Sequence, residues 1–158
     1  LCDTFRIPIV ILVDEPCFLI CPDAERAGTI LHGTEAVLAT TESKVPWTTI
    51  MIRKSFGVAA AAHYGPDGYV LAWPSAESGP LPLEGGVAVA FKKEIASAKN
   101  PEAKRKELEE KMAKNQSPFP RAEAFSVHEI IDPRETRKYI ALWAERIQSQ
   151  LKASLMNR

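Results

Sequence analysis

The sequence has little of several features that mark specialised classes of protein. Its 20 basic and 20 acidic residues leave a formal net charge of zero, so no excess of charge favours nucleic acid or a membrane surface. No apolar stretch is long enough to cross a bilayer, because Asp3, Arg6, Asp14 and Glu15 bracket the longest one. We therefore expect neither a nucleic-acid partner nor a membrane span.

Cysteine is scarce as well. Three cysteines in 158 residues predict a reducing compartment, such as the cytoplasm or the mitochondrial matrix, and not a disulfide framework. Cys17 and Cys21 lie four residues apart, which is typical of neither a zinc knuckle nor a C-x-x-C redox pair, and whether they form a disulfide stays open. Because His32, His63 and His128 are scattered, we expect no metal site.

Common catalytic signatures are missing from the sequence. It contains no G-x-S-x-G elbow, Walker loop or dinucleotide-binding glycine fingerprint. Its acid pairs are adjacent in sequence, so their side chains diverge and no acid–base dyad can be inferred.

What remains is an ordinary composition, 46% hydrophobic and 25% charged, which favours one α/β domain. The chain begins at Leu1 without a signal peptide or an initiator methionine, which we interpret as a cut end.

Residues 50–62 form the stretch around which the chain is organised. A predicted strand, Thr48–Arg53, leads through Gly57 into small residues that predict a tightly packed helix. The first N–H groups of such a helix have no partner within it, and with the helix dipole they can hold a developing oxyanion. The pattern alone also allows a buried strand–turn–helix joint that carries no chemistry.

The residues before this stretch predict a strand, a loop and a long helix. The run Ile7–Val13 is apolar at nearly every position, which predicts a buried strand. The apolar loop at 14–22 needs cover from the domain or from a partner chain. Asp23 is expected to cap a helix from Ala24 to about Glu42. Helical spacing predicts that its buried stripe consists of Ala27, Ile30, Thr34, Val37, Leu38 and Thr41.

The second half of the chain predicts two further strands and three helices. The strands are expected at Tyr69–Trp73 and Val127–Ile131. One helix is expected from about Glu84 to Lys99, and another after its cap Asn100. The final helix carries one apolar stripe, formed by Tyr139, Ile140, Trp143, Ile147, Leu151 and Leu155.

Four segments together resemble a known family. They are IPIVILVDEP at 7–16 followed by Phe18-Leu19, RKSFG at 53–57, AWPSAE at 72–77 and IDPRETR at 131–137. In this order and spacing, along nearly the whole chain, they resemble the beta-type carboxyltransferase subunit of biotin-dependent acyl-CoA carboxylases. That family includes propionyl-CoA, acetyl-CoA and methylcrotonyl-CoA carboxylases, and the likeness is to the C-terminal half of the subunit.

The resemblance implies an α/β fold of the crotonase-like (ClpP/crotonase) type. Residues 1–158 would form one domain of ββα units with C-terminal helices, packed as a homotrimer. In the family, an N-terminal half mainly holds acyl-CoA, and the C-terminal half mainly holds carboxybiotin carried on a partner biotin-carrier domain. The acyl-CoA half is absent from this chain, so the resemblance implies carboxyl transfer as the parent activity but no turnover by this chain alone.

The resemblance also assigns roles to individual residues. Position in the family places the biotin-side pair of backbone N–H donors at Val58 and Ala59, directly after Gly57. Phe18 would contact biotin as well, with no cofactor bound covalently. Ala61 lies where some family members carry a side chain that sets substrate specificity. Only the backbone of Val58 takes part, although its β-branched side chain restricts the backbone where the family prefers glycine.

Departures from the family pattern define an alternative. The family's loop has glycine where this chain has Cys17 and Cys21, and a cysteine is strained wherever such a glycine needs a positive φ. Leu31 replaces a residue that is usually polar or basic. These changes suggest an assembly module, a trimeric building block whose apolar surface at Cys17, Cys21 and Leu31 is altered, by engineering for example, to contact a second protein. A crotonase-like hydratase or thioesterase is a weaker third option, because no well-placed acid pair is present.

Overall fold

A parallel sheet of five strands forms the centre of the protein, which a computed structural model describes over residues 1–156. The strand order is β1-β2-β3-β5, and β4 pairs with the end of β2. All pairings are parallel. The strands are β1 (Ile9–Glu15), β2 (Trp47–Phe56), β3 (Tyr69–Ala72), β4 (Glu77–Gly79) and β5 (Glu129–Ile130).

Helices connect the strands and cover parts of the sheet. They are α1 (Cys2–Phe5), α2 (Pro22–Arg26), α3 (Thr29–Thr41), α4 (Gly57–Ala61), α5 (Leu83–Ala90), α6 (Lys92–Ser97), α7 (Pro101–Gln116), α8 (Pro118–Glu123) and α9 (Thr136–Met156). A 3₁₀ turn, Pro133–Glu135, precedes α9. Over residues 1–156, no helix is both long and apolar enough to span a membrane.

The core lies on both faces of β2 and β3. Successive side chains of a strand point to opposite faces, so Ile50 and Met51 enter different clusters. Ile50 packs with Leu71 and Ile131, and these three are almost fully buried. On the other face, Met51 packs with Val70, Ala72, Ala76 and Val127.

Helix α9 confirms the apolar stripe expected for the end of the chain. Trp143 and Ile147 are buried, while Tyr139 and Ile140 pack against the Ile50 cluster. Leu151 is half-buried, and the side chain of Leu155 lies outside the described residues. The expected helix after Asn100 is also confirmed, because the Asn100 side chain accepts a hydrogen bond from the backbone N–H of Ala103 at 3.1 Å.

The single helix expected from Ala24 to Glu42 is wrong. The chain forms two helices, α2 and α3, because Gly28 adopts a left-handed conformation (φ 77°) between them. The expected cap at Asp23 is wrong too. Cys21 is the N-cap of α2, and its Sγ accepts a hydrogen bond from the N–H of Ala24 at 3.4 Å.

The expected buried stripe of this region is also wrong. Ile30 and Leu38 are more than half exposed, whereas Gly33 and Thr40 are buried. A Cβ added at Gly33 would overlap the ring of Phe18. Helix α3 therefore packs through its small residues, because the loop's aromatic ring fills the space that a larger side chain would need.

Strand β1 is not the buried strand that its apolar run predicts. Within the described chain it pairs only with β2 and forms an edge of the sheet. Val10 is 40% exposed and Leu12 is 56% exposed, while Val13 is buried. An apolar run predicts a strand that can be covered on both faces, but it does not say whether this chain supplies the cover.

The helix expected from Glu84 to Lys99 is interrupted. The backbone of Phe91 leaves the helical conformation (φ −113°, ψ 23°), which separates α5 from α6. The strand expected at Val127–Ile131 pairs over only two residues, which form β5. Both differences are local and leave the sheet order unchanged.

Candidate functional site

The strand–turn–helix joint expected near residue 57 is confirmed. Phe56 at the end of β2 is extended, and Gly57 turns the chain with a left-handed φ of 67° into α4. Ala59 and Ala60 are buried beneath the joint, whereas Val58 is 69% exposed. The short helix thus presents its first turn at the surface while its small residues pack against the sheet.

The first turn of α4 carries unpaired backbone donors. The helix has no side-chain cap, and within residues 1–156 no acceptor meets the N–H groups of Val58 and Ala59. Orphan donors of this kind are expected at a helix start, and they attract negative charge. Two adjacent donors are what an oxyanion-stabilising site requires, so the arrangement is chemically suited to the role expected for Val58 and Ala59.

Cys17 lies directly against this joint. Its φ of 118° falls in a region that favours glycine, so the strain expected for a cysteine in this loop is present there. A Cβ added at Gly57 would come within 2.7 Å of the Cys17 sulfur, so Gly57 is required by the contact as well as by its own φ. Burial, together with the charge of Glu15, raises the pKa of the Cys17 thiol, which favours the protonated thiol.

The second cysteine plays a different part. Cys21 has an extended backbone (φ −159°), so no strain arises there, and its sulfur caps α2. Cys17, Cys21 and Cys2 are all free thiols in this structure. The two glycine-to-cysteine departures are therefore not equivalent, because only Cys17 touches the joint.

Phe18 and Leu31 lie on neighbouring parts of the loop and α3. Phe18 is half-buried and rests on Gly33 of α3. Leu31 is 63% exposed, and so are the loop residues Leu19 (73%) and Ile20 (81%). We call Leu19, Ile20 and Leu31 the apolar loop surface.

Asp14 ties the edge strand to β2 just before the joint. Its two carboxylate oxygens each accept a hydrogen bond from Arg53 Nε at 3.0 Å, and Oδ1 also accepts one from the Lys54 backbone N–H at 3.2 Å. The hydrogen bonds from Arg53 hold the pKa of Asp14 below its ordinary value. Two of the four family-like segments therefore meet at one ion pair.

A cavity of about 330 Å³ lies beside α4. Ala61, expected to line a substrate pocket, is on its wall. Ser55 and Tyr64 share a hydrogen bond of 2.7 Å, and burial raises the pKa of Tyr64. The other polar lining residues include Ser78 and Arg121.

Sequence reasoning missed this polar group. Its members lie at positions 55, 64, 78 and 121, on four different segments, and no local spacing connects them. The side chains described by the structure form no cluster of His, Cys, Asp or Glu suited to a metal ion.

Comparison with known proteins identifies the family. The model of the carboxyl transferase domain matches residues 1–157. The chain is 40% identical over 144 residues to the methylmalonyl-CoA carboxyltransferase 12S subunit of Propionibacterium freudenreichii subsp. shermanii, covering 89% of this chain and 28% of that protein. It is 36% identical over 149 residues to the biotin-dependent acetyl-/propionyl-coenzyme A carboxylase beta5 subunit of Mycobacterium leprae (strain TN), covering 89% of this chain and 27% of the relative.

A solved structure shares the same architecture. The transcarboxylase 12S structure, described as a hexamer assembly with methylmalonyl-coenzyme A and methylmalonic acid bound, superposes with a TM-score of 0.84 and 39% identity. The match covers 94% of this chain and 29% of that one, so the chain spans less than a third of the length of these relatives. The fold is accordingly the crotonase-like α/β fold with a parallel sheet that the motifs imply. From residue 1 to residue 157, this chain belongs to the carboxyl transferase domain family.

Proposed function

We propose that this chain is the biotin-facing, C-terminal-type part of a carboxyltransferase, in which a carboxyl group passes from carboxybiotin to an acyl-CoA. Carboxybiotin, delivered on a partner biotin-carrier domain, would supply the carboxyl group. The observation that supports the proposal is the pair of unpaired N–H groups at Val58 and Ala59, in a chain that belongs to this family.

The residues around the joint fit such a ligand. Gly57 has no side chain, and Ala59 and Ala61 are small, so an acceptor oxygen can approach the backbone closely. Fixed backbone donors need no reorganisation when negative charge develops on that oxygen. Phe18, held against α3, would form a wall beside the joint, and Ala61 would shape the neighbouring pocket.

The proposal includes partners beyond this chain. An acyl-CoA-binding half would complete the site, and the domain would assemble as a homotrimer in a reducing compartment. The exposed apolar residues of β1 and of the apolar loop surface are the kind of surface that such neighbours cover. By itself, the chain is then expected to give no carboxyl transfer.

Binding of biotin methyl ester, followed by amide NMR, tests the N–H pair. We expect the largest shift changes at Val58 and Ala59, since an acceptor would bind there. The variant Val58→Pro removes one N–H and should weaken binding by about three- to tenfold. Val58→Ala keeps the N–H and is the matched control, expected to bind as the unaltered chain does.

Two results would contradict the proposal. One is a set of shift changes that maps away from α4. The other is unchanged affinity in Val58→Pro, with far-UV circular dichroism showing that the variant is folded. A loss common to Val58→Pro and Val58→Ala would point to the valine side chain instead of the backbone.

A second candidate function is an assembly module, favoured by the apolar loop surface. Leu19, Ile20 and Leu31 are each more than 60% exposed, and Cys17 lies two positions before Leu19 in the sequence. Light scattering over a wide concentration range, with and without reductant, separates the two functions. About three chain masses supports the inherited trimer, whereas a much larger closed particle supports the assembly module.

One substitution sharpens this measurement. Leu31→Glu should prevent formation of the larger particle, because it places a charge in the proposed interface. Ala36→Glu is the matched control, since Ala36 is exposed on the same helix but lies about 140° further round its axis. A chain that stays monomeric at high concentration would exclude the assembly module.

A further inference from the structure

The cavity beside α4 contains buried polar atoms without partners. Among the described side chains, three such atoms are found, and two of them, Ser78 Oγ and Arg121 Nε, belong to residues that line this cavity. Ser78 is only 4% exposed. A buried donor without an acceptor is unfavourable by an amount comparable to a lost hydrogen bond. The described residues therefore leave two polar atoms of this cavity without a hydrogen-bond partner.

One of these two atoms belongs to the positively charged guanidinium of Arg121. Arg121 lies in the last turn of α8, and no described carboxylate comes within 4 Å of its guanidinium. Its charge also lowers the pKa of the Tyr64 phenol, which burial otherwise raises, so the two groups face the same space. A partly buried guanidinium with a desolvated Nε is best satisfied by an anion.

We propose that Arg121, Ser78 and the Ser55–Tyr64 pair form a binding site for a small carboxylate in this cavity. A guanidinium edge matches the two oxygens of a CO₂⁻ group, with Nε–H and Nη–H donating in parallel. Ser78 supplies a hydroxyl donor. In the Ser55–Tyr64 pair, one hydroxyl donates to the other, so the second hydrogen remains available to a ligand.

The lining of the cavity suits the CO₂⁻ group of a small organic acid or of bicarbonate. Gly57, Ala60 and Ala61 add little bulk to one wall, while Met51 and Val127 provide apolar surface. The shared chemistry is the planar CO₂⁻ group, whichever of the two molecules supplies it. The cavity is the pocket that Ala61 lines in the proposed function, but the carboxylate site does not use the N–H pair of Val58 and Ala59 and can be tested without biotin.

Titration of the 158-residue chain with acetate, malonate and bicarbonate tests the site. Ionic strength is held constant with sodium chloride, and binding is followed by calorimetry and by the amide shifts of Ser78 and Arg121. We expect saturable binding of at least one probe. Arg121→Met should weaken binding by about tenfold or more, because both the positive charge and the parallel pair of N–H donors are lost.

Conservative variants define the origin of the effect. Arg121→Lys keeps the positive charge but loses the parallel pair of N–H donors, so its affinity should fall between those of the unaltered chain and Arg121→Met. Ser78→Ala should weaken binding by about threefold. Arg105→Met is the matched control, because Arg105 pairs with Glu109 on the exposed face of α7 and should leave affinity unchanged.

Each outcome bears on the proposal. Binding of acetate or malonate alone supports an organic acid as the source of the carboxylate, and binding of bicarbonate alone supports bicarbonate. The proposal is overturned if no probe binds saturably, if chloride gives an equal response, or if folded Arg121→Met binds as the unaltered chain does. Should circular dichroism show Arg121→Met to be unfolded, Ser78→Ala decides, since it removes one oxygen atom only.

Discussion

Strands β1 and β3 both flank β2, yet they are buried to very different extents. Val70, Leu71 and Ala72 of β3 are each less than a tenth exposed, whereas Val10 and Leu12 of β1 are 40% and 56% exposed. Strand β3 lies between β2 and β5, with packed side chains on both faces. Strand β1 is an edge with one apolar face open. Similar apolar runs therefore contribute differently to stability, because the position of a strand in the sheet decides which residues cover it.

The largest expected effect tests this difference directly. Leu71→Ala should lower the free energy of unfolding by about 3–4 kcal/mol, since it removes fully buried methyl groups and leaves a cavity. Leu12→Ala makes the same chemical change on the exposed face of β1 and should lower it by less than about 1 kcal/mol. Urea unfolding of both variants measures the contrast. Equal losses would mean that another chain covers the open face of β1 in solution.

A smaller effect is expected from the strained loop after β1. Cys17→Gly should raise the free energy of unfolding by about 1 kcal/mol, because glycine adopts a φ of 118° without the strain of a side chain. Cys17→Ala is the matched control, since alanine removes the sulfur but retains the strain, and it should not stabilise. Thermal unfolding compares the two. If alanine stabilises as much as glycine, the thiol and not the backbone is responsible.

The smallest effect concerns the ion pair that ties β1 to β2. Asp14 has a lowered pKa in the folded chain, so its contribution is present above its ordinary pKa of about 4 and is lost as the pH falls through the lower folded value. Because the pair is exposed, Asp14→Asn should lower the free energy of unfolding by less than about 1 kcal/mol at neutral pH. Urea unfolding between pH 2 and 7 should show that the difference in free energy of unfolding between Asp14→Asn and the unaltered chain becomes smaller at the acidic end. A difference that persists unchanged at pH 2 would contradict the ionic origin.

The features that sequence reasoning predicted well are local ones. Residues 50–62 predicted the strand–turn–helix joint because a strand, one glycine and a run of small residues are adjacent in the chain. The family's glycine positions predicted strain in the loop, which the φ of Cys17 confirms, although Cys21 is unstrained. The family assignment is confirmed by the match over residues 1–157.

The features that sequence reasoning missed depend on tertiary packing. Helix α3 buries Gly33 and not Ile30, because Phe18 from a separate loop lies across it. The exposure of β1 depends on its place at the sheet edge. The polar cavity joins Ser78 and Arg121, which are 43 positions apart in the sequence and carry no motif that relates them.

The hydrogen bonds of Asp14 have a consequence for motion within the domain. They join the end of β1 to Arg53 and Lys54, which lie four and three residues before Gly57. A displacement of the edge strand must therefore shift the start of α4 or break these bonds. A chain that pairs along the open edge of β1 should accordingly slow amide hydrogen exchange at Val58 and Ala59 without touching either residue. In this domain, pairing at the sheet edge and ordering of the proposed oxyanion donors are then thermodynamically linked, so that each favours the other.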